Sequence, residues 1–278
     1  MRREIFYTTK KIKDFRMAII SDIHYTTDIN HKILDNIIKE INKNNPDYIL
    51  ILGDIIDSSD LKELDGLRDF LEELASIKPT IAITGNHDEK SGYRHHWHYE
   101  KNNELIKLLK SIDNFYYLND SSVTINNIKF YGFNLPYNYY DKDEPYELFE
   151  ENIKDLKPDL NNKNYNVTLI HSPINIYPFL NKNKDHNLQE SDLILSGHMH
   201  NGCIPYWFTH IINKVFHTTR SLISPSGELF IKYSQGRVYE RDGYIFDGIN
   251  KLSKATRSFH KFNFIYSKRV TFIDIKHK

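Results

Sequence analysis

The segment YILILGDIID, residues 48–57, contains the pattern from which we predict the fold. Five apolar residues, Tyr48 to Leu52, are followed at once by Gly53 and Asp54. A continuous apolar run of this length is typical of a strand that is buried on both faces, as in the parallel sheets of α/β proteins. The segment therefore predicts a buried strand with an acidic residue just beyond its carboxyl end.

The same pattern occurs on both sides of this segment. Met17 to Ser21 and Thr80 to Thr84 are two more short apolar runs, and each leads into polar residues. Between the runs, apolar residues recur at helical spacing over positions 33–41 and 61–74, and a proline follows each stretch. This alternation of strands and helices predicts a parallel sheet that is covered by helices.

Strands predominate further along the chain. We expect a helix around residues 105–112 and a hairpin turn at Asn126-Asn127. The expected strands are Tyr116–Leu118, Val123–Ile125, Ile128–Phe133, Val167–Ile170, Leu193–Leu195 and Val270–Ile275.

The composition is that of an ordinary globular protein. Of the 278 residues, 40% are hydrophobic and 27% are charged, which excludes disordered, collagen-like and coiled-coil proteins. We expect one domain over residues 1–278, with a motif-bearing core at 17–202 and a strand-rich completion at 203–278. The 37 basic and 37 acidic side chains cancel, so the overall charge points to no obligatory nucleic-acid partner and to no membrane partner, while local charged patches stay open as alternatives.

The cysteine count and the hydropathy limit the location and the metal chemistry. Cys203 is the only cysteine, which excludes an intrachain disulfide and a metal site built from several thiolates. No apolar run is long enough to cross a bilayer, and the first 13 residues lack the apolar core of a signal peptide. We therefore expect a cytoplasmic protein, in which 14 histidines favour metal ligation by nitrogen and oxygen.

Polar residues follow five of the predicted strands. In an open α/β sheet, ligands bind beyond the carboxyl ends of the strands, so these residues would meet in one crevice. Each fragment alone is more often a cap, a turn or a hydrogen-bonded histidine, but five of them at corresponding strand ends favour a metal site. The fragments are Asp22-Ile23-His24, Gly53-Asp54, Gly85-Asn86-His87, His171 and Gly197-His198-Met199-His200.

Seven side chains in these fragments are candidate metal ligands, enough for two divalent ions that share one bridging group. Histidine, aspartate and asparagine ligands without thiolate suit Mn, Fe, Zn or Co and leave the choice among these metals open. The seven candidates are Asp22, His24, Asp54, Asn86, His171, His198 and His200.

This ordered set of motifs, from Asp22 to His200, resembles that of the calcineurin-like metallophosphoesterases. The resemblance implies an α/β fold, namely a four-layer α/β/β/α sandwich with two central mixed β-sheets, and a binuclear metal centre. It also implies two ligand sets: Asp22, His24, Asp54 and His200 for one ion, and Asp54, Asn86, His171 and His198 for the other.

The resemblance implies a hydrolase that acts on ester bonds. A metal-bridging hydroxide would attack a phosphodiester or phosphomonoester in a small phosphorylated substrate. Phosphoprotein phosphatases of this superfamily carry Arg-Gly after the position of Asp57, whereas Ser58 and Ser59 follow here, which favours the phosphodiesterase-like branch.

One alternative is a non-catalytic protein-interaction module on the same fold, which would typically lack some of these ligands. A second is a zinc amidohydrolase, which would require His-x-His after the first strand.

Two residues are candidates for catalysis in addition to the ligands. His87 directly follows a candidate ligand, and a histidine near its ordinary pKa can protonate a departing alkoxide. The resemblance assigns this role to His87 and assigns Asp57 to orient it. The alternative for Asp57 is a helix N-cap before Leu61, and Asp88 is a candidate cap for the loop that follows it.

We expect substrate contacts from Asn86 and His87, and from Arg94 and His95 in the histidine- and aromatic-rich cluster at 93–99. The alternative for that cluster is a partly exposed helix start with aromatic packing.

Two further segments leave alternatives open. The Tyr- and Asn-rich segment 133–140 could line the substrate cleft or pack as an ordinary loop. The segment 251–278 carries eight Lys or Arg and one acid, which indicates either a solvated face or a surface that attracts an anionic substrate. The sequence predicts no oligomeric state.

Overall fold

Two six-stranded β-sheets lie at the centre of the protein. The computed structural model describes residues 2–93, 96–99, 102–141, 144–200, 211, 215, 233, 236–238, 240–246, 248–249 and 270–278, and at 90–93, 96–99 and 141 it describes the backbone alone. The strands are β1 (Arg2–Thr8), β2 (Phe15–Ile20), β3 (Tyr48–Leu52), β4 (Thr80–Ile83), β5 (Lys90–Tyr93), β6 (His96–Tyr99), β7 (Phe115–Tyr117), β8 (Ser121–Ile125), β9 (Ile128–Gly132), β10 (Tyr165–Leu169), β11 (Leu193–Ser196), β12 (Gly236–Val238), β13 (Gly243–Ile245) and β14 (Thr271–His277). The helices are α1 (His31–Asn44), α2 (Asp65–Ile77), α3 (Asn103–Ser111), α4 (Tyr137–Asp141), α5 (Tyr146–Ile153) and α6 (Ile176–Lys182), with short 3-10 turns at His87–Glu89 and Asn187–Glu190.

Both large sheets are mixed. The first has the strand order β1-β14-β2-β3-β4-β7, and the second has the order β12-β13-β11-β10-β9-β8. In the first sheet, neighbouring strands from β2 to β7 are parallel, whereas β14 is antiparallel to β2. In the second sheet, β9, β10, β11 and β13 are parallel, and the outer strands β8 and β12 are antiparallel to their neighbours. Strands β5 and β6 form a separate antiparallel pair.

Three apolar clusters separate four layers. One cluster lies between the two sheets, a second joins the first sheet to α1, α2 and α3, and a third joins the second sheet to α4, α5 and α6. Strand β3 shows why its sequence is continuously apolar: Leu50 packs between the sheets, whereas Ile49 and Ile51 pack beneath the helices. Burying a side chain of this size stabilises the fold by about 1.5–3 kcal/mol. The predicted α/β/β/α sandwich with two central mixed sheets is confirmed.

Local sequence signals explain several element boundaries. The Asn30 side chain accepts a hydrogen bond from the backbone N–H of Lys32 at the start of α1, and Asn45 ends the helix in a left-handed conformation. Asn126 and Asn127 both have positive φ, 50° and 64°, and they form the predicted hairpin turn between β8 and β9. Helix α2 begins at Asp65, later than the apolar stripe over 61–74 predicts.

The two ends of the described chain meet in the first sheet. Strand β14 lies between β1 and β2, parallel to the former and antiparallel to the latter. The predicted closing strand is thus present as Thr271–His277, inside the sheet. The sequence pattern does not predict strand β1, since it is an edge strand in which only Phe6 and Thr8 are buried.

Some predictions fall on parts of the chain that the structure describes incompletely. Much of the segment 203–278, including 251–269 of the basic segment, lies outside the described residues. The prediction of a single domain with a strand-rich completion therefore stays a prediction. Within the described ranges, no helix combines the length and the apolar character that a membrane crossing requires.

Candidate metal centre

The five predicted strand ends meet at one edge of the two sheets. The loops after β2 and β3 run side by side, because the backbone N–H groups of Asp22 and His24 donate to the carbonyl oxygens of Gly53 and Asp54, at 3.1 and 3.0 Å. The loops after β10 and β11 are joined in the same way, through the Gly197 N–H and the His171 carbonyl oxygen at 2.9 Å. The backbone thus brings the polar loops of both sheets to a single place.

Five of the seven candidate ligands have a left-handed backbone, which is rare outside glycine. This conformation costs about 1–2 kcal/mol for an ordinary residue and is tolerated best by Asn, Asp and His. It bends each loop sharply just after its strand. The φ values are 52° at Asp22, 45° at His24, 50° at Asp54, 67° at His198 and 46° at His200.

The first candidate ion site consists of four buried side chains. Nε2 of His200 lies 3.4 Å from Oδ1 of Asp22 and 3.4 Å from Nε2 of His24. Nε2 of His24 lies 3.7 Å from Oδ2 of Asp54. One ligand atom from each of the four residues falls within 4.8 Å of all the others, a spacing at which one cation could contact them together.

The second candidate site shares Asp54. Oδ2 of Asp54 lies 3.3 Å from Nε2 of His171, and the rings of His171 and His198 are 5.0 Å apart. Ligand atoms of these three residues again lie within 4.8 Å of one another. Gly85 permits this approach, because a Cβ at that position would collide with Oδ1 of Asp54 and Nε2 of His171. Asn86, the next residue, is also buried.

Four atoms of the second site have no hydrogen-bond partner among the residues that the structure describes. A buried polar atom without a partner costs about 1–3 kcal/mol, so a native protein rarely leaves four of them together. A divalent cation would satisfy all four at once, and their nitrogen and oxygen chemistry suits such an ion. The atoms are Oδ2 of Asp54, Oδ1 of Asn86, Nε2 of His171 and Nδ1 of His198.

Three of the histidines have an oxygen beside their other ring nitrogen. Nδ1 of His171 donates to the carbonyl oxygen of Leu52 at 2.6 Å, and Nε2 of His198 donates to Oε1 of Glu144 at 2.7 Å. Nδ1 of His24 lies 3.3 Å from Oδ1 of Asp57. At His171 and His198, where this contact is a hydrogen bond, the acceptor assigns the hydrogen to that nitrogen and leaves the lone pair on the other nitrogen for a metal.

The electrostatic field of the site also favours a cation. Burial lowers the pKa of the His24 imidazole, but Asp57, Asp54 and Asp22 outweigh this effect and raise it to about 9. The pKa of His171 is likewise lowered by burial and raised overall, to about 10, chiefly by Asp54. Since these carboxylates raise the pKa of both imidazoles so strongly, they would also attract a divalent ion at the same place.

His87 and Asp57 lie beside the first site, but their contact differs from the expected one. The Nδ1–H of His87 donates to the backbone carbonyl oxygen of Asp57 at 2.7 Å, whereas the Asp57 carboxylate lies beside His24. The Asp57 backbone, not its carboxylate, therefore makes the direct hydrogen bond to His87. The alternative of Asp57 as a helix N-cap does not hold, because α2 begins at Asp65 with Leu64 at its N-cap.

Asp88 connects the two loops that carry Asp54 and Asn86. Its Oδ1 accepts a hydrogen bond from the Ile56 N–H at 2.9 Å, and its Oδ2 accepts one from the Gly85 N–H at 2.8 Å. Burial, followed by the charge of Asp54, raises the pKa of Asp88 to about 7. Both of these hydrogen bonds join Asp88 to loops that precede it in the chain.

Two residues of the site are absent from the predicted set. Glu144 contacts His198, and the ring of Tyr140 lies 5.3 Å from that of His198 and 6.1 Å from that of His171. Burial raises the pKa of Glu144, but His198, Ser172 and Tyr139 lower it more, so the net shift is downward. The segment 133–140 therefore both packs in the core, through Tyr139, and borders the site, through Tyr140. Glu144 belongs to no motif that could have identified it, whereas Tyr140 lies in the segment 133–140, for which the sequence leaves a place at the substrate cleft open.

The predicted substrate contacts are only partly described. Asn86 and His87 lie at the cluster, whereas Arg94 and His95 lie outside the described residues. The backbone on either side of them forms the hairpin β5–β6, which starts directly after the His87–Glu89 turn. The alternative of a helix start in this cluster is therefore wrong.

Comparison with known proteins agrees with this geometry. The sequence model of the family described as calcineurin-like phosphoesterase matches residues 15–202. An uncharacterized metallophosphoesterase of Campylobacter jejuni is 27% identical over 197 residues, 70% of this chain and 47% of that protein. A component of the nuclease SbcCD from Staphylococcus epidermidis is 25% identical over 240 residues, 76% of this chain and 58% of that protein. Phosphodiesterase YaeI of Escherichia coli is 27% identical over 111 residues, 40% of this chain and 39% of that protein.

This chain spans about half the length of the Campylobacter relative. The family match nevertheless covers about two thirds of the chain and includes all five strand ends that carry a candidate ligand. The chain belongs to the calcineurin-like phosphoesterase family.

Proposed function

We propose that this protein is a hydrolase that cleaves phosphodiesters with the help of two divalent metal ions. The observation that carries the proposal is the convergence of the candidate ligands from both sheets, with four buried ligand atoms left without a partner in the described part of the chain. Membership of a phosphoesterase family supports the same chemistry.

Asp54 would be shared by the two ions, because its Oδ2 faces both His24 and His171. When bound, the ions supply Lewis acidity that activates water and neutralises the phosphoryl oxygens. Mn, Fe, Zn or Co would suit these ligands. One ion would be held by Asp22, His24, Asp54 and His200, and the other by Asp54, Asn86, His171 and His198.

His87 would act as the general acid. Its backbone N–H donates to Oδ1 of Asp54 at 2.8 Å, and its Nδ1–H donates to the carbonyl oxygen of Asp57 at 2.7 Å. Because a carbonyl oxygen only accepts, Nδ1 keeps its hydrogen in either protonation state, and the proton exchanged with a leaving group is the one on Nε2. Burial and the nearby His24 lower the pKa of His87, which makes its protonated form a stronger acid.

The preference for diesters rests on two observations. Ser58 and Ser59 follow Asp57 where phosphoprotein phosphatases carry a phosphate-binding arginine. Two of the relatives are named as part of a nuclease and as a phosphodiesterase, and both names denote cleavage of diesters. The substrate that we propose is a small phosphorylated molecule that contains a phosphodiester.

The alternative of a non-catalytic interaction module predicts that a ligand or the acid has been lost. All seven candidate ligands and His87 are present, and they converge in the structure. We therefore favour an enzymatic function over a non-catalytic interaction module.

The proposal is tested by hydrolysis of bis-p-nitrophenyl phosphate and of p-nitrophenyl phosphate, in Mn²⁺ and after chelation. We expect metal-dependent cleavage that is faster for the diester, and its loss in Asp54→Asn, which removes the shared carboxylate charge. Faster cleavage of the monoester would contradict the diester preference. No cleavage of either ester by a protein that binds two ions would contradict the enzymatic proposal.

A further inference from the structure

Glu144 lies outside every motif that carries a candidate ligand, in the segment between α4 and α5. It is buried, and its φ of 55° places its backbone in the left-handed region. This conformation is unfavourable for a glutamate, so the surrounding contacts must hold it in place. A residue held in this way beside a candidate metal ligand suggests a role at the site.

The Glu144 carboxylate connects two loops of the second sheet. Its Oε1 accepts a hydrogen bond from Nε2 of His198 at 2.7 Å. Its Oε2 accepts hydrogen bonds from the hydroxyl of Tyr139, at 3.0 Å, and from that of Ser172. Because Ser172 directly follows His171, one carboxylate joins the loops that carry two candidate ligands of the same ion.

A second side chain fixes the Glu144 backbone. Nδ2 of Asn175 donates to the carbonyl oxygen of Glu144 at 2.6 Å and lies 3.1 Å from the hydroxyl oxygen of Tyr139. Tyr139 is completely buried and Asn175 is nearly so. The carboxylate is therefore held by groups that are themselves rigidly packed.

The contact with Glu144 determines which nitrogen of His198 can bind a metal. Oε2 of Glu144 accepts hydrogen bonds from two hydroxyl groups and Oε1 lies 2.7 Å from Nε2 of His198, so the carboxylate acts as the acceptor at both oxygens and Nε2 of His198 carries the hydrogen. Nδ1 then presents its lone pair, and it is buried without a partner among the described residues. Metal-bound histidines commonly donate their other N–H to a carboxylate or a carbonyl oxygen in this way.

We propose that Glu144 is a positioning residue, which sets the tautomer and the ring orientation of His198. Nδ1 of His198 then faces the ion that Asp54 and His171 would also bind. This inference rests on the proposed two-ion function. It predicts that Glu144 matters selectively for one of the two ions, since Glu144 has no contact with Asp22, His24 or His200 among the described residues.

The test compares Mn²⁺ binding by metal-free wild type, Glu144→Ala and Glu144→Gln, using isothermal titration calorimetry. Electron paramagnetic resonance then distinguishes a coupled pair of Mn²⁺ ions from a single ion. In Glu144→Ala we expect one ion to bind about 10–100-fold more weakly while the affinity for the other is unchanged. Glu144→Gln keeps a carbonyl oxygen to accept from His198, so we expect it to recover most of the lost affinity.

Glu150→Gln is the matched control. Glu150 also accepts a hydrogen bond from a tyrosine, Tyr146, at 3.0 Å, but it lies on α5 and, among the described residues, makes no hydrogen bond or ion pair with a candidate ligand. We expect this variant to bind both ions as the wild type does. Thermal unfolding of all variants would show whether the fold is retained. Wild-type affinity of Glu144→Ala for the other ion would be a second sign that this variant is folded.

Three results would overturn the inference. The first is unchanged binding of both ions in Glu144→Ala, and the second is an equal loss of both, which would indicate a general structural effect. The third is a Glu144→Gln variant that binds the affected ion as weakly as Glu144→Ala does. A wild type that binds fewer than two ions would instead contradict the proposed function, and the inference about Glu144 would fail with it.

Discussion

At the scale of single residues, the ring of His87 is held by the loop that carries Asp54 and Asp57 and packs edge-on against His24, with ring centres 4.5 Å apart. It thus lies beside the candidate metal cluster without belonging to either proposed ligand set. A residue in this position can be removed to separate proton transfer from metal binding.

His87→Ala should bind both ions with the wild-type affinity but lose turnover selectively. For a dinucleotide, whose alkoxide leaving group needs a proton, we expect kcat to fall about 10²–10⁴-fold. For bis-p-nitrophenyl phosphate the fall should be much smaller, because p-nitrophenolate departs without protonation. The measurement is kcat for both substrates alongside the metal content, and an equal fall for both substrates would argue against the general-acid role.

The residues of the site differ in how far the sequence could predict them. Asp22, Asp54 and His198 are each the second residue after a strand, so their position at the sheet edge follows from the strand pattern. Glu144 has no such signal, because a loop far along the chain brings it to His198. The sequence also could not predict how Asp57 contacts His87. A residue name does not show whether its carboxylate or its backbone carbonyl oxygen accepts the hydrogen bond.

At the scale of secondary structure, strand β14 is fixed in the first sheet by a buried carboxylate. Asp274 is 2% exposed, and its oxygens accept hydrogen bonds from Arg3 on β1, at 2.5 Å, and from Arg16 on β2, at 2.6 Å. Burial raises the pKa of Asp274, but the two guanidinium groups lower it more, to below its ordinary value. The same side chain therefore joins three neighbouring strands.

Asp274→Asn should destabilise the protein at neutral pH by about 2 kcal/mol, the value typical of hydrogen bonds to charged groups. Because the folded-state pKa is depressed, the contribution of the carboxylate is fully present above its unfolded-state pKa, near 3.9, and is lost as the pH falls through the folded-state value. Urea unfolding of wild type and variant at pH 7 and at decreasing pH below 4 should show their difference shrinking.

Asp14→Asn is the control for this experiment. Asp14 pairs at 2.9 Å with Lys276 on β14, the strand that carries Asp274, but the side chains of Lys276 and Asp14 are 41% and 46% exposed, so we expect a much smaller change. A difference between wild type and Asp274→Asn that does not depend on pH would show that lost packing, and not lost charge, is responsible.

The elements were predicted where the sequence is strongly apolar and missed where it is not. The run Tyr48–Leu52 matches β3 residue for residue, because both of its faces are covered. Strand β1 alternates between exposed and buried positions and carries Arg2, Arg3 and Glu4, so hydropathy alone does not mark it as a strand. Its pairing with β14 depends on contacts between the two ends of the described chain, which no local pattern specifies.

At the scale of the whole molecule, the candidate metal centre joins the two sheets. Each proposed ligand set draws side chains from loops of both sheets. In one set, His200 comes from the second sheet and the other three ligands come from the first. In the other set, His171 and His198 come from the second sheet, and Asp54 and Asn86 come from the first. The apolar cluster between the sheets holds the rest of this interface together. Bound ions would therefore link the two halves of the sandwich at one edge.

Removing the ions should lower the stability of the whole molecule. An ion that binds only the folded state, present at 100 times its dissociation constant, adds about 2.7 kcal/mol. For a chain of this size we expect Mn²⁺ to raise Tm by roughly 5–10 °C and a chelator to reverse the rise. Differential scanning fluorimetry at increasing Mn²⁺ concentrations would measure this rise in Tm.

Asp54→Asn is the informative variant for this measurement. Because Asp54 belongs to both proposed ligand sets, the variant should show a much smaller rise in Tm than the wild type at the same Mn²⁺ concentration. A rise of wild-type size in Asp54→Asn would mean that Mn²⁺ stabilises the protein at another place.

The left-handed backbone at five of the seven candidate ligands also limits how this site could be redesigned or could evolve. Asp, Asn and His combine metal-binding atoms with tolerance of this conformation, whereas β-branched residues tolerate it poorly. A ligand exchange intended to favour a softer metal, such as a change to cysteine, would strain the backbone at those five positions. Asn86 and His171 do not have positive φ, so they are the two places where a new ligand chemistry meets the least resistance from the chain.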